Sequence, residues 1–275
     1  MLSDAELERY SRQLLLPDFD LAGQEALARA RVLIVGLGGL GSPAALYLAG
    51  AGVGELLLAD GDTLELSNLQ RQIAHREADI GSCKAQSAAA AVIRLNAGVR
   101  ARALQVHLDE SALFDACGGV DLAVDATDNY PTRFALNRAC IAAGIPLVSA
   151  AAVRTEGQIA TFNPAAGGGC YRCLYPREGA ESALRCSESG VLGPVVGILG
   201  SLLALETIKL LTAMPGSLSG ELLTMDLRDY RVQRLLLQAR PGCPDCPRLP
   251  DGEGEQHTGK SATLRAEKRD EKESH

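Results

Sequence analysis

Two widely separated cysteine pairs, Cys170-Tyr-Arg-Cys173 and Cys243-Pro-Asp-Cys246, carry the clearest chemical pattern in the sequence. A CxxC pair offers two thiolates to one side of a tetrahedral Zn²⁺, and a second pair completes the coordination sphere. Four protein ligands leave no open position, so the predicted site is structural. A redox CxxC is the competing reading; it requires one pair beside a helix start. Cys186 stands apart, in Leu184-Arg-Cys-Ser-Glu-Ser-Gly190, where Arg185 would favour its thiolate. Cys83, Cys117 and Cys140 fall in predicted helices or at their edges and read as core.

A second pattern concerns phosphate. The run Arg31-Val-Leu-Ile-Val-Gly-Leu-Gly-Gly-Leu-Gly41 ends a buried apolar strand in glycines, and an apolar segment from Ala44 to Ala51 follows. Strand, glycine turn and helix together make an anion seat. Gly36, Gly38, Gly39 and Gly41 leave backbone N–H groups unobstructed, and the new helix adds the positive end of its dipole. Asp60 ends the next apolar strand, Glu55 to Asp60. An acidic residue about twenty positions after such a turn commonly holds ribose hydroxyls, and both NAD and ATP would use it. The polar run from Asp62 to Ile73 packs Asn68, Gln70, Arg71 and Gln72 together, which is odd for a segment that merely covers a sheet. Lys84 opens an alanine-rich helix, where the dipole disfavours a cation. Its placement suggests a nearby anion, with a solvated lysine as the alternative. Asp128 and Asn129 follow the strand Val120–Thr127, at the carboxyl edge where open α/β sheets bind ligands. Arg and Lys suit β- and γ-phosphates and Asp128 suits Mg²⁺. A hydride-transfer site needs an acid or base beside the nicotinamide, and none is evident. ATP is therefore preferred over an NAD-dependent oxidoreductase.

The elements that must position these groups alternate. Beyond those named, strands are predicted at Val99–Val106, Ile145–Val153 and Gln158–Phe162, the last as an antiparallel addition. A capped helix covers Asp4–Leu16, with Ser3 and Glu6 forming a capping box. Others cover Gly23–Arg29, Lys84 to about Asn96, Pro131–Gly144 and Pro194–Thr212. The region Asn163–Gly193 reads as loop, and Glu221–Leu237 as a strand pair turning near Arg228-Asp229. This is an α/β fold: a Rossmann-like, mostly parallel sheet with helices on both faces, C-terminal antiparallel strands and a four-cysteine zinc site. Residues 1–248 read as a single domain and 249–275 as a disordered charged tail. Hydrophobic residues make up 47% of the 275, with 4% aromatic and no Trp, so the core is predicted to be Ala, Leu, Val and Ile. The net charge of −7 argues against nucleic acid as a partner. No run reads as long enough to cross a bilayer and the acidic N-terminus is no secretory signal, so no membrane partner and a cytoplasmic location are expected.

Arg9-Tyr-Ser-Arg-Gln13, Gly36-Leu-Gly-Gly-Leu-Gly41, Ser67-Asn-Leu-Gln-Arg-Gln72, Asp125-Ala-Thr-Asp-Asn129, Cys170-Tyr-Arg-Cys173 and Gly190-Val-Leu-Gly-Pro194 together resemble the MoeB/ThiF family, over about residues 3 to 247. Those enzymes adenylate ubiquitin-like sulfur-carrier proteins. The resemblance implies that Asp60, with Asp62 beside it, holds the ATP ribose. It implies that Asn68, Arg71, Gln72 and Lys84 meet the phosphates, and that Asp128, with Asn129, serves Mg²⁺. It also implies that Arg12, otherwise an ordinary surface charge, reaches across a homodimer into the partner's site, and that the CxxC pairs bind zinc. The implied product is a carrier acyl-adenylate, made from a C-terminal glycine carboxylate with release of pyrophosphate. A separate sulfur donor protein would follow. Cys186 matches a cysteine that links covalently to the carrier in the ThiF branch. The molybdopterin-synthase small subunit is favoured as carrier, with the thiamine sulfur carrier as the alternative.

Overall fold

The computed structural model describes residues 2–176 and 190–246. Eight strands form one sheet in the order β3-β2-β1-β4-β5-β6-β7-β8. The strands are β1 Arg31–Val35, β2 Glu55–Ala59, β3 Arg100–Leu104, β4 Leu122–Asp125, β5 Leu147–Val153, β6 Glu156–Phe162, β7 Glu221–Asp226 and β8 Arg231–Leu236. The first five are mutually parallel, and β6 to β8 add on antiparallel. Parallel strands need crossovers, and the intervening helices supply them: α4 Gly41–Ala51, α5 Lys84–Leu95, α6 Glu110–Cys117 and α7 Tyr130–Ala143. The chain begins with α1 Asp4–Arg9, α2 Ser11–Leu14 and α3 Asp20–Arg29, and later adds α8 Tyr171–Leu174 and α9 Gly193–Leu211.

The core is double because both faces of the sheet are covered. Along β1, Val32 and Ile34 join the cluster beneath α4, α5 and α9, whereas Leu33 and Val35 join the cluster beneath α6 and α7. The two-residue pleat period sets this alternation, so a parallel central strand is apolar throughout. Sparse aromatics leave small residues to fill the space, which lets α4 and α9 approach closely. A Cβ on Gly200 would lie 2.3 Å from Pro43 Cγ.

Most predicted elements are present, with corrections. The N-terminal helix is two helices broken at Tyr10, although the Ser3–Glu6 capping box forms as expected. Tyr10 is buried and its hydroxyl accepts from Asn96 Nδ2 at 2.9 Å, an anchor that a straight helix would not offer. The segment read as loop after Asn163 contains α8, which carries Cys173. Helix α6, preceded by the capping residue Asp109, had no clear signal in the sequence. The expectation that no segment could span a bilayer fails on length and composition. Helix α9 has 19 residues and a mean hydropathy of 1.7 in its best window. In the fold it packs on α4, β5 and β6 and buries Val195, Val196, Leu199 and Leu203. Cys186 and the 249–275 tail lie outside the described residues, as does the predicted boundary at 248.

The strand order reverses between β1 and β4, so the loops leaving their carboxyl ends diverge and open a crevice. The glycine turn sits at this point. A Cβ on Gly41 would lie 1.9 Å from Gly36 O, and Gly36 itself has φ +87° with Ala126 O 2.7 Å from its Cβ position. Gly41→Ala is therefore expected to destabilise the chain by about 3 kcal/mol, measurable as a lowered denaturant midpoint.

Candidate nucleotide site and four-cysteine cluster

A cleft of about 1210 Å³ lies over the crevice between β1 and β4. Gly36, Gly38, Gly39, Asp60, Asp62, Asn68, Arg71, Gln72, Lys84, Asp128 and Asn129 line it, whereas Gly41 is buried at the start of α4 and does not. The residues that sequence spacing grouped are thus brought together, from the three connections β1–α4, β2–α5 and β4–α7. Arg12 does not line it; this side chain is exposed on α2.

The glycine turn is held from behind. Asp60 accepts from Leu37 N at 2.7 Å and from Asp62 N at 2.8 Å. Leu37 O accepts from Ser42 Oγ at 3.1 Å and pairs with His75 Nε2 at 3.0 Å. Among the described residues no acceptor takes the N–H of Gly38 or Gly39. Such donors at a helix start are the natural partners of a phosphate. The buried Gln72 has an unpaired Oε1, and its Nε2 lies 3.5 Å from the Cβ position of Gly38. The amide nitrogen, a donor, is thus the end of Gln72 that approaches the turn.

Lys84 is largely buried and pairs with Asp62 Oδ2 at 2.7 Å. The anion suggested by the lysine's unfavourable helix position is thus, in part, a neighbouring carboxylate. Asp62 also lies 3.6 Å from His107 Nε2, a residue that sequence reasoning did not select. Arg71 Nη1 donates to Ser67 O at 3.0 Å, which orients the guanidinium from within its own turn. Asn68 Oδ1 accepts from Glu65 N at 3.2 Å and its Nδ2 donates to Ser67 Oγ at 3.4 Å, so both ends of this amide have a partner. Asn129 caps α7 by accepting from Thr132 N at 3.0 Å, which gives it a structural task beside its place in the cleft. Asp128 is exposed in the cleft and makes no hydrogen bond or ion pair among the described residues. A lone carboxylate beside a phosphate seat suits Mg²⁺, which binds through one or two carboxylates plus phosphate oxygens.

Asp128 is held in place by a buried polar network that the sequence did not reveal. Asp125 accepts from Thr127 N at 3.0 Å, Thr127 Oγ1 at 2.7 Å and Ser149 Oγ at 2.6 Å. Arg133 Nε lies 3.7 Å from Asp125, and Nη2 donates to Thr127 O and Ala150 O. Burial opposes the charge on Arg133 most strongly, but Asp125 together with Tyr171 and Tyr175 outweighs it and the net pKa shift is upward. The guanidinium therefore remains charged. Both buried charges are paired and hydrogen-bonded, the condition under which such a pair is tolerated. The cleft continues past β5 to Gln158, Tyr175, Thr224, Arg231 and Gln233, another set absent from the sequence reading. The antiparallel register of β6 to β8 brings Gln158, Thr224, Arg231 and Gln233 to the same edge, and Tyr175 follows α8.

One turn further along α7, near Asn137, the four cysteines converge. Their sulfurs all lie within 4.8 Å of one another. Individual separations are 3.9 Å for Cys170–Cys173, 3.7 Å for Cys170–Cys243 and 3.3 Å for Cys173–Cys246. A tetrahedron with Zn–S of about 2.3 Å has edges of about 3.8 Å, so the cluster has the size of a zinc site. Burial pushes the Cys170 thiol up to about 11. Burial also opposes ionisation at Cys243, but N–H groups of Cys246 and Asp245 outweigh it and leave a value of about 7. Four thiolates this close require a cation between them. The second pair is pinned by Asp245, whose Oδ2 accepts from Arg172 Nε at 2.9 Å and Asn137 Nδ2 at 3.2 Å. Cys117 and Cys140 are buried as predicted, with sulfurs 3.9 Å apart, while Cys83 is half-buried at the start of α5.

Fold and cleft define a nucleotide-binding α/β protein of the doubly wound kind, with a glycine turn at the switch point and a separate four-cysteine cluster. The chain belongs to the ThiF family, whose model matches residues 10–245. It is 47% identical over 245 residues to the molybdopterin-synthase adenylyltransferase of Escherichia coli, spanning 89% of this chain and 98% of that one. It is also 47% identical over 245 residues to the sulfur carrier protein ThiS adenylyltransferase of the same organism, spanning 89% and 97%. The solved structure of Escherichia coli MccB with ATP shares the fold, with a TM-score of 0.76 at 23% identity over 87% of this chain and 73% of that one.

Proposed function

We propose that this protein adenylates the C-terminal glycine carboxylate of a ubiquitin-like sulfur-carrier protein. The observation that carries the reading is one cleft in which the glycine turn, Arg71, Lys84 and Asp128 converge, and which continues over β6 to β8 beyond what a nucleotide needs. Ligand pockets for small molecules usually fall between about 300 and 1,000 Å³, so there is room for a peptide tail beside ATP.

The carboxylate attacks the α-phosphorus of ATP, the bond to the bridging oxygen breaks, and pyrophosphate leaves. A carboxylate needs no general base. The barrier is the approach of one anion to another and the charge that builds on the leaving group. The N–H groups of Gly38 and Gly39 hold the phosphates, while Arg71 and Lys84 neutralise charge on the departing pyrophosphate. Asp60 and Asp62 face the ribose, and Asn68 and Gln72 line the phosphate path. When bound, Mg²⁺ held by Asp128 would draw charge from the phosphate oxygens. Zinc held by Cys170, Cys173, Cys243 and Cys246 would be structural.

The molybdopterin-synthase small subunit is the favoured carrier, on the stretches Ala150–Gln158 and Cys186–Gly190. The thiamine sulfur carrier is the second reading, favoured by Ser42–Leu48 and supported by a relative of equal identity. A sulfur donor protein then acts on the acyl-adenylate, and a covalent role for Cys186 belongs to the second reading. Thiol ligands kept reduced accord with a cytoplasmic setting. The test is exchange of labelled pyrophosphate into ATP with each purified carrier. Exchange that depends on a carrier supports the reading, and exchange with neither overturns it.

The protein acts as a homodimer in this reading, with Arg12 contributed in trans. Helix α2 is fixed to its own subunit by Gln13, whose Nε2 donates to Gln24 Oε1 at 2.7 Å and Ala51 O at 3.2 Å. Arg12 faces outward among the exposed Leu15 and Leu16, a setting suited to an interface. Arg12→Ala and Arg71→Ala chains, each inactive alone, are expected to regain about a quarter of wild-type exchange when unfolded together and refolded. Half of the dimers then mix, and each mixed dimer holds one intact site. No recovery would place Arg12 elsewhere.

A further inference from the structure

We infer that His75 is a positioning residue for the phosphate seat: through Leu37 O it sets the direction of the Gly38 N–H. The inference rests on the nucleotide reading of the cleft. His75 is buried and its ring bridges two elements, with Nε2 3.0 Å from Leu37 O and Nδ1 2.9 Å from Ser87 Oγ on α5. Ser87 Oγ also lies 2.9 Å from Asp79 Oδ2, and its single proton serves one of these two acceptors at a time. A carbonyl oxygen only accepts, so Nε2 carries the proton. Burial lowers the His75 pKa, in keeping with a neutral ring whose Nδ1 faces a hydroxyl.

The consequence lies in the geometry of one peptide group. In a trans peptide the C=O of residue i and the N–H of residue i+1 point in opposite directions. Leu37 O is drawn inward by His75 and Ser42, so the N–H of the same unit, that of Gly38, points away from them, toward the cleft that Gly38 lines. Rotation of this unit would turn the carbonyl oxygen toward an incoming phosphate and reverse the electrostatics of the seat. Peptide flips of this type require a following residue that tolerates positive φ, and Gly38 is such a residue. The glycine that gives the phosphate room also leaves the turn free to misorient. His75 and Ser42 hold it in the binding orientation. His75 N also donates to Gln72 O at 3.1 Å, so the same residue ties the turn to the segment that carries Arg71 and Gln72.

The test compares full-length, zinc-loaded wild type with His75→Asn, His75→Gln and Ser42→Ala. Affinity for a non-hydrolysable ATP analogue is measured by calorimetry, and ATP KM and kcat by carrier-dependent exchange. His75→Asn keeps a polar group near Ser87 but withdraws the donor from Leu37, and is expected to raise both the analogue Kd and the ATP KM about five- to tenfold, the worth of one hydrogen bond, with kcat within about twofold. His75→Gln places an N–H close to the original Nε2 and is expected to return Kd to within about twofold of wild type. Ser42→Ala removes the other donor to the same carbonyl, and should weaken binding similarly even if the histidine variants fail to fold. Unchanged Kd in folded His75→Asn, failure of folded His75→Gln to rescue, or unchanged Kd in Ser42→Ala overturns the inference alone. A wild-type chain that does not bind the analogue overturns the nucleotide reading and this inference with it.

Discussion

Arg71→Ala is expected to slow carrier-dependent pyrophosphate exchange by about 10²- to 10³-fold, the usual cost of removing one preorganised charge from a transition state. The loss should fall mainly on kcat, because negative charge on the departing pyrophosphate is greatest as the bond breaks. Arg71 is oriented before any ligand arrives, by its bond to Ser67 O. The reaction therefore does not have to order this side chain, which is why its removal costs more than a surface charge would. Arg71→Lys should recover only part of the rate, since an ammonium lacks the planar fork. Lys84→Ala should be at least as damaging for a further reason: it leaves Asp62, now 2.7 Å from Lys84 Nζ, as a carboxylate without its lysine beside the phosphates. The double variant Lys84→Ala/Asp62→Ala should then be less impaired than Lys84→Ala alone, a non-additivity that reports direct coupling. Arg94→Ala, an exposed position on α5 that does not line the cleft, should stay within about twofold and serve as the control. An Arg71→Ala chain with wild-type kcat would remove the electrostatic account of the mechanism.

The sequence makes parts of this site readable for physical reasons. Gly36 and Gly41 are legible because no other residue fits where their Cβ atoms would meet backbone oxygen. The cysteine pairs are legible because metal ligation fixes both residue type and local spacing. Lys84 is legible as a cation at the wrong end of a helix, although its partner Asp62 was assigned only a ribose role. What stays hidden is whatever depends on long-range register. Arg231 and Gln233 reach the cleft only through the pairing of β7 with β8, which no local pattern specifies. Asp125 and Arg133 form a buried pair that, in one dimension, looks like two solvated charges. His75 hid for a similar reason, since a single histidine in a polar segment carries no spacing signal. Helix α9 is legible as an apolar helix, Pro194–Thr212 against the observed Gly193–Leu211; it passes the length and composition test for a span, yet it packs between α4 and the sheet.

Cys173→Ser is expected to abolish stoichiometric zinc binding and to lower the thermal midpoint by about 8–16 °C. The argument begins with what otherwise holds the C-terminal segment. All six residues of β8 are exposed, so the strand contributes little apolar burial of its own. Beyond it, the chain from 237 to 246 is fastened by the cysteine cluster, by Arg240 N donating to Cys173 Sγ at 3.2 Å, and by Asp245 with Arg172 and Asn137. Asn137 also accepts from Tyr171 N at 2.9 Å, which links the cluster to α7 and to the packed ring of Tyr171. Losing one thiolate removes a metal cross-link that closes a long loop, and leaves three thiols crowded without a cation. A closed loop of this kind is worth about 4 kcal/mol, and about 1 kcal/mol corresponds to roughly 2–4 °C for a chain of this size. The nucleotide cleft meets the first turn of α7, around Tyr130 to Arg133, and its lining includes none of these residues. Binding of the ATP analogue below the lowered midpoint should therefore persist, separating a structural metal from one that takes part in the chemistry. Metal analysis, a thermal melt and one titration on the same preparation decide the matter: intact zinc content, an unchanged midpoint, or loss of analogue binding in a still-folded Cys173→Ser chain would each contradict a structural zinc site.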